Sequence, residues 1–151
     1  MAVKWSELQR YSLVEVELGF PKNLIEKKEC VDLYENEYYH GINIGGEFSY
    51  RHRAIVISKS VKGSKVGILP ITEWNPMKNY TVEQFNTNLF IKRDNYKSYF
   101  VKDSIILIDE IKTIDKKIRV KKIIHRKIPL SLIKLISQKI IDFYVDLEVL
   151  K

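Results

Sequence analysis

The ten residues SYRHRAIVIS at positions 49–58 set two arginines and a histidine directly before an uninterrupted apolar run. An apolar run that is bounded by polar residues is typical of a strand buried on both faces. The start of such a strand is held at the rim of a core, so Arg51, His52 and Arg53 lie at one rigid edge of the fold. We expect this edge to meet a phosphate backbone.

The composition bounds the class of protein. The 151 residues are 45% hydrophobic and 11% aromatic, which predicts one globular domain with a real core. The apolar runs are far shorter than a bilayer span, and residues 1–10 lack the hydrophobic core of a signal peptide. We therefore expect a cytoplasmic protein that does not associate with membranes. Cys30 is the only cysteine, which excludes an intrachain disulfide and a cysteine-cluster zinc site.

Positive charge is concentrated in one part of the chain. Lysine and arginine outnumber aspartate and glutamate by 26 to 19, for a formal net charge of +7. The first third of the chain is acidic, whereas residues 112–127 hold eight lysines and arginines against the single acid Asp115. This asymmetry suits a polyanionic partner at one surface. Charge alone leaves open the alternative that the lysines are the solvated faces of ordinary strands and helices.

Two further strands are predicted, one from alternation and one from a second apolar run. Residues 12–18 alternate apolar and acidic side chains, as in a half-buried first strand. Residues 66–72 read as a second buried strand, in which Pro70 lacks an N–H and therefore predicts a bulge or a nearby sheet edge. Residues 22–39 fit either a helix or a short strand, and both interpretations stay open.

The middle of the chain contains a glycine loop and further strand patterns. Three glycines in residues 41–46 predict an irregular loop that leads to Glu47. Residues 88–92 and 105–108 predict strands. Residues 112–122 alternate isoleucine and valine with cations, which predicts a basic strand or ribbon.

The last part of the chain predicts a helix. After Pro129, with Ser131 as candidate N-cap, apolar residues recur every three or four positions, at Ile133, Ile136, Ile140, Tyr144 and Leu147. Such a stripe needs a surface on which to bury, so we expect the helix to pack on the sheet. Several short strands with one terminal helix predict a mainly β fold, either a small barrel or an α+β domain.

Four motifs follow one another: GGE at 45–47, HRAIVIS at 52–58, VGILPIT at 66–72 and DSIILIDEIKTIDK at 103–116. In order and approximate spacing they resemble the PemK/MazF toxins of bacterial type II toxin-antitoxin pairs. The resemblance implies an SH3-like small barrel with a C-terminal helix. It divides this single domain into an N-terminal elaboration at residues 1–40, a barrel core at 41–128 and the helix at 129–151.

The resemblance also implies an activity. PemK/MazF toxins are homodimers that cleave single-stranded RNA without a metal ion or other cofactor. A cognate antitoxin, whose disordered tail folds over the RNA groove, is the expected partner.

The family's two catalytic positions fall on His52 and Thr72 of this chain, and only Thr72 keeps the family's residue type. The family pattern Gly-x-x-Arg-Pro-Ala-Val-Val-Ile-Ser, aligned on residues 54–58, sets His52 where the catalytic arginine stands and Arg53 where the proline stands. Successive strand residues point to opposite faces, so Arg51 and Arg53 share one face and His52 takes the other. Thr72 matches the family's second catalytic residue, which ends the Pro-Ile-Thr strand.

Transfer of an RNA phosphodiester to the neighbouring 2′-hydroxyl needs a base, an acid and a group that stabilises charge on the phosphorane. Our hypothesis is that His52 transfers protons, Arg53 or Arg51 neutralises the phosphate, and Thr72 donates a hydrogen bond to a phosphate oxygen.

Three more residues are candidates for binding the substrate. Glu47 would orient a cation, Trp74 would stack on a base, and Lys112 would contact the RNA backbone. The ordinary alternatives are that His52 is a solvated strand-end residue, that Thr72 ends a strand, and that aromatic residues belong to the core or a dimer contact.

A second function also fits the sequence. A non-catalytic member of the same barrel fold would bind nucleic acid or inhibit a protein target, because fold alone does not set function. Thr72 and the basic stretch favour cleavage, whereas the missing family arginine at position 52 favours the alternative.

Overall fold

A computed structural model describes residues 3–18, 20–21, 42–43, 51–59, 63–146 and 148–149. The strands within these ranges are β1 (Leu13–Glu17), β2 (Phe20–Pro21), β3 (Ile42–Asn43), β4 (Arg51–Lys59), β5 (Lys65–Glu73), β6 (Leu89–Ile91), β7 (Ser104–Ile106), β8 (Lys112–Asp115) and β9 (Val120–His125). The α-helices are α1 (Val82–Thr87), α2 (Lys116–Arg119) and α3 (Leu130–Tyr144). Short 3₁₀ turns span Trp5–Glu7, Arg93–Asn95 and Ile108–Glu110.

Seven of these strands form one antiparallel sheet. Its neighbours run in the order β6, β7, β5, β4, β1 and β9, and β8 also pairs with β5. Strands β2 and β3 form a separate parallel pair. The predicted mainly β fold with a C-terminal helix is confirmed, and the sheet agrees with the small SH3-like barrel that the resemblance implies. No helix in the described ranges is long and apolar enough to cross a membrane.

The central strands are buried on both faces, as predicted for residues 51–58. Ile55 of β4 and Leu69 of β5 pack in one core cluster, while their neighbours Val56 and Ile68 pack in another. The first cluster contains buried residues of α3, so α3 covers that face of the sheet. We call it the helix face, and the other the inner face. Most of the core therefore lies in two layers, one on each side of β4 and β5.

Strand β1 is more deeply buried than the sequence predicts. Leu13, Val14 and Val16 are buried, and Glu17 is only 5% exposed. The half-buried prediction is wrong because Leu13 packs in the cluster of the helix face while Val14 and Val16 pack in the cluster of the inner face. Residues 13–17 are thus part of the sheet. For the rest of residues 1–40, the division of the chain into elaboration, barrel core and helix stays a prediction.

Strand β5 changes its partner at Pro70. One edge of β5 pairs with β4, whereas on the other edge residues 65–68 pair with β8 and residues 71–73 pair with β7. The Pro70 carbonyl accepts from the Leu107 N–H at 3.0 Å. The backbone N and O of a strand residue face the same edge of the strand. The nitrogen of Pro70, which has no N–H, therefore faces the gap between β8 and β7, where no ladder hydrogen bond is lost. Of the two alternatives predicted at Pro70, the bulge is wrong, since the register shift lies in β4 between Val56 and Ser58. The nearby edge agrees with the structure, since the pairing with β8 ends at Ile68 and the pairing with β7 begins at Ile71.

Helix α3 packs its apolar stripe on the sheet, as predicted. Leu132 and Ile136 are buried, and the partly buried Ile133 and Ile140 contact the same cluster. The predicted N-cap is wrong: the cap position is Pro129, and Ser131 lies inside the helix, 3.3 Å from the Tyr96 hydroxyl. Proline is tolerated there because the first N–H groups of a helix have no intrahelical partner. Leu147 of the predicted stripe is outside the described residues.

The predicted basic ribbon at residues 112–122 is interrupted by α2. Asp115 ends β8 and caps α2, since its Oδ1 accepts from the backbone N–H groups of Lys117 at 3.0 Å and Ile118 at 3.1 Å. Its Oδ2 accepts from the Ser64 hydroxyl at 2.7 Å. The Ser64 hydrogen bond, followed by that from Ile118, holds the pKa of Asp115 below its usual range. The cations of this stretch are therefore divided among β8, α2 and β9.

The remaining predictions have mixed outcomes. Strand β6 confirms the prediction at residues 88–92, whereas the one at residues 105–108 becomes β7 followed by a 3₁₀ turn. Helix α1 was not predicted, although Thr81 and Gln84 form a reciprocal capping box at its start. The ambiguous residues 22–39, and the glycine loop apart from Ile42–Asn43, are outside the described part of the chain.

Candidate active site

A cleft of about 340 Å³ opens where β4 begins and β5 ends. Its lining includes four of the seven residues predicted for the site, namely Arg51, His52, Arg53 and Thr72. The others are Ile71, Glu73, Phe100, Val101, Lys102 and Ser104. Residues that are about twenty positions apart in the sequence thus meet at one end of two paired strands.

The pairing of β4 with β5 sets His52 beside Thr72. Arg53 pairs with Ile71 in antiparallel register, so one further step sets His52 opposite Thr72. Opposed residues in antiparallel strands share a face, with Cβ atoms about 4.5–5.5 Å apart. Thr72 pairs in turn with Ile105, and Ile105 with Phe90. We call His52, Thr72, Ile105 and Phe90 the cross-strand row, which runs over four strands on the inner face.

The two arginines lie on the helix face, and their surroundings differ. Arg53 donates from Nη1 to the backbone oxygen of Tyr99 at 3.2 Å and is half-buried. Arg51 places Nη1 3.3 Å from Oε1 of Glu15, and the two side chains are 58% and 32% exposed. An ion pair this exposed contributes little to stability. Arg53 is therefore tied to the fold, whereas Arg51 can turn toward a substrate at small cost.

Lys102 is a cation of the cleft that sequence reasoning missed. Its Nζ lies 3.7 Å from Oε2 of Glu73, and both side chains are exposed. It reaches the cleft because Glu73 pairs with Ser104, the first residue of β7, two positions after Lys102. The one signal in the sequence is that Lys102 directly precedes the motif at residues 103–116, but the motif itself does not reveal which strand β7 joins.

Of the other three predicted residues, Trp74 and Lys112 do not line the cleft. Trp74 packs instead against Phe90 and Phe85, with ring centroids 5.1 Å and 6.5 Å apart and both pairs edge to face. Lys112 pairs with Ile68 on β5, which is four residues, or roughly 13 Å, from Thr72 along the strand. Glu47 is outside the described residues.

The cleft lies at the strand ends, where residues from both faces line it: His52 and Thr72 come from the inner face, and Arg51 and Arg53 come from the helix face. It therefore contains three kinds of chemical group. His52 supplies an imidazole, the side-chain group that most often transfers protons in catalysis. The Thr72 hydroxyl can donate a hydrogen bond, and the three cations can neutralise negative charge as it develops. Among the residues that the structure describes, no three histidine, cysteine, aspartate or glutamate side chains cluster as metal ligands. The arrangement suits proton transfer at a bound phosphate.

Comparison with known families identifies a matching family. A family model of the PemK-like, MazF-like toxins of type II toxin-antitoxin systems matches residues 37–144, more than two thirds of the chain. The matched range runs from before β3 to the end of α3 and contains all the described residues that line the cleft. Strand β1, although central in the sheet, precedes it. No curated protein matches the chain.

Proposed function

Because the chain belongs to the PemK-like, MazF-like toxin family of type II toxin-antitoxin systems, we propose that it is a toxin that cleaves single-stranded RNA in the cytoplasm without a metal ion. One observation carries the proposal: His52 and Thr72 are neighbours across two paired strands, in a cleft that also contains Arg51, Arg53 and Lys102. A cognate antitoxin holds the toxin inactive, and the toxin acts as a homodimer.

The proposed reaction is an internal transfer. The 2′-oxygen of one nucleotide forms a bond to the adjacent phosphorus, and the bond from phosphorus to the 5′-oxygen of the next nucleotide breaks. The products are a 2′,3′-cyclic phosphate and a free 5′-hydroxyl. His52 exchanges the proton at one of these two oxygens, taking it from the 2′-hydroxyl or supplying it to the leaving 5′-oxygen, and water exchanges the proton at the other. Thr72 donates a hydrogen bond to a non-bridging oxygen.

The cations stabilise the charge on the phosphorane. Arg53 keeps one N–H on the Tyr99 carbonyl, and the other N–H groups of its guanidinium are available to the phosphate because arginine carries five. Arg51 and Lys102 contact the phosphate from the solvent side. Glu47 orients one of these cations. Lys112 contacts the RNA backbone beyond the cleft.

The test is cleavage of a long single-stranded RNA by purified protein in excess EDTA. We expect wild type to cut the RNA and His52→Ala to slow cutting by about 10²–10⁴-fold. Thr72→Val, which removes one donor, is expected to cost about 10²–10³-fold. Thr113→Val is the matched control, because Thr113 is an exposed threonine on β8 outside the cleft. An inactive wild type, or full activity in both site variants, would refute the proposal.

A non-catalytic relative is the second candidate, and the observation in its favour is His52 itself. The family pattern has its catalytic arginine at this position, so this chain lacks a group that the family's reaction uses. On this alternative the protein binds RNA or a protein target and leaves RNA intact. Binding of RNA by wild type without any cleavage would support it.

A further inference from the structure

A second cavity, of about 410 Å³, adjoins the cleft. Thr72 and Glu73 line both spaces. The second cavity is also lined by Asn75, Lys78, Tyr80, Gln84, Asn88, Phe90, Ile105 and Leu107. It thus extends along the cross-strand row from Thr72 toward Phe90. Neighbouring strands are about 4.8 Å apart, so Phe90, two strands away, is roughly 10 Å from Thr72. A nucleotide with its phosphate at Thr72 would have this cavity beside it.

One wall of the cavity is aromatic and rigid. The ring of Phe90 stacks on Phe85 with centroids 4.3 Å apart, and Tyr80 meets it edge to face at 5.2 Å. The Tyr80 hydroxyl accepts from the Asn75 N–H at 2.9 Å, which closes the loop that carries the tyrosine. Lys78 lies over the Tyr80 ring, with Nζ 5.6 Å from its centroid. Rings held by one another offer a flat apolar surface at little cost in conformational entropy.

Recognition of a base also needs a polar group that hydrogen-bonds the edge of its ring. Asn88 supplies such a group. This side chain is only 5% exposed and lines the cavity. Its Oδ1 accepts from the backbone N–H groups of Ile108 at 2.8 Å and Asp109 at 3.3 Å. The oxygen end of the amide is thereby committed to the 3₁₀ turn, and its NH₂ end remains for a ligand. Such a group donates to a base carbonyl or ring nitrogen.

We propose that this cavity binds one unpaired nucleobase of the RNA, that of the nucleotide whose phosphate is at Thr72. The base lies against Tyr80 and Phe90 and accepts a hydrogen bond from Asn88. The inference rests on the proposed function, because it takes RNA as the ligand. It adds that this cavity determines part of the preference for one RNA sequence over another. Trp74 contacts the Phe90 ring edge to face.

The test uses small probes that cannot be cleaved. Four 2′-O-methyl nucleoside 3′,5′-bisphosphates, one for each base, are titrated into the full-length protein and compared with the abasic ribose bisphosphate by NMR. We expect at least one base to bind about tenfold more tightly than the abasic probe, the size expected for base stacking. The side-chain amide signals of Asn88 should shift with that probe and not with the abasic one.

Asn88→Asp separates base recognition from folding. Aspartate keeps the oxygen acceptor for the 3₁₀ turn but replaces the NH₂ donor, so the preference for the base over the abasic probe should fall at least threefold. Asn79→Asp is the matched control, since it adds the same charge to an exposed position of the nearby loop that does not line the cavity. It should keep the wild-type preference. Phe90→Leu removes the ring and should also lower the preference for the base. It provides the test if Asn88→Asp fails to fold.

Two results would overturn the inference: equal binding of all five probes by wild type, or a preference that survives in both Asn88→Asp and Phe90→Leu. Failure of the proposed function looks different, because these probes report binding without cleavage. A protein that prefers one base but leaves RNA intact in EDTA refutes the nuclease alone. A protein that cuts RNA but binds every probe equally refutes the base site alone.

Discussion

The two arginines beside His52 provide a sharp comparison, because the same substitution two residues apart should have different effects. We expect Arg53→Met to lower the free energy of unfolding and Arg51→Met to leave it nearly unchanged. Methionine keeps an unbranched side chain and removes only the guanidinium. Both residues lie on the helix face of β4, so strand propensity is the same in the two variants.

The magnitudes follow from the contacts of each side chain. Arg53 is half-buried and donates to the Tyr99 carbonyl at 3.2 Å; losing a hydrogen bond from a charged group costs about 1.5–3 kcal/mol, which partial exposure reduces to about 1–2 kcal/mol. Arg51 is 58% exposed in its pair with Glu15, and such pairs contribute about 0–1 kcal/mol. For a chain of this size, Arg53→Met should lower Tm by about 3–6 °C.

Urea unfolding followed by circular dichroism at pH 7 measures the difference, with the m-value as a check that the unfolded state is unchanged. RNA binding supplies a second readout. If Arg51 contacts a phosphate, Arg51→Met reduces the slope of log K against log salt concentration by about 0.7. Equal losses of stability in the two variants would refute the assignment of Arg53 to the fold, and an unchanged salt slope would refute the phosphate contact of Arg51.

Two further predictions concern the core and the turn into α2. Leu132→Ala, at a side chain with no exposure, should cost about 2–5 kcal/mol, whereas Leu135→Ala on the same helix, 45% exposed, should cost under about 1 kcal/mol; comparable urea midpoints would contradict the packing of α3. Asp115→Asn tests the carboxylate. Because the folded-state pKa of Asp115 is lowered, its charge stabilises the fold above the unfolded value of about 3.9 and this contribution is lost as pH falls through the folded pKa. The stability gap between wild type and Asp115→Asn should thus be widest at pH 5–7 and close in acid, and a gap independent of pH would exclude the charge as its cause.

Local sequence patterns predict the elements whose own residues supply the apolar surface. The unbroken run at residues 54–57 and the three-to-four spacing after Pro129 are sufficient for β4 and α3, because burial acts directly on those residues. The same patterns fail at residues 112–122. There Asp115 captures two backbone N–H groups and turns the chain, and a single capping carboxylate does not alter the alternation around it.

The site depends on strand pairing, which a local pattern does not contain. His52 and Thr72 are matched by the family motifs, but their proximity follows from the register of β4 on β5. Lys102 and Asn88 enter the two cavities because β7 and β6 continue the sheet beyond β5. Neither residue belongs to a motif, and the residues around each do not reveal which strand will lie beside it. Only the arrangement of three strands distinguishes them.

The position of β9 has a consequence for handling the protein in solution. Among the strands that the structure describes, β9 ends one side of the sheet, and an edge strand exposes backbone groups to which another molecule can add a strand. Lys121 and Lys122 lie in β9, and Arg126 and Lys127 follow it. Repulsion between these charges on two molecules opposes aggregation through the edge. Since salt screens charges beyond about 8 Å at 0.15 M, concentrated stocks should stay clear longest in buffers of low ionic strength.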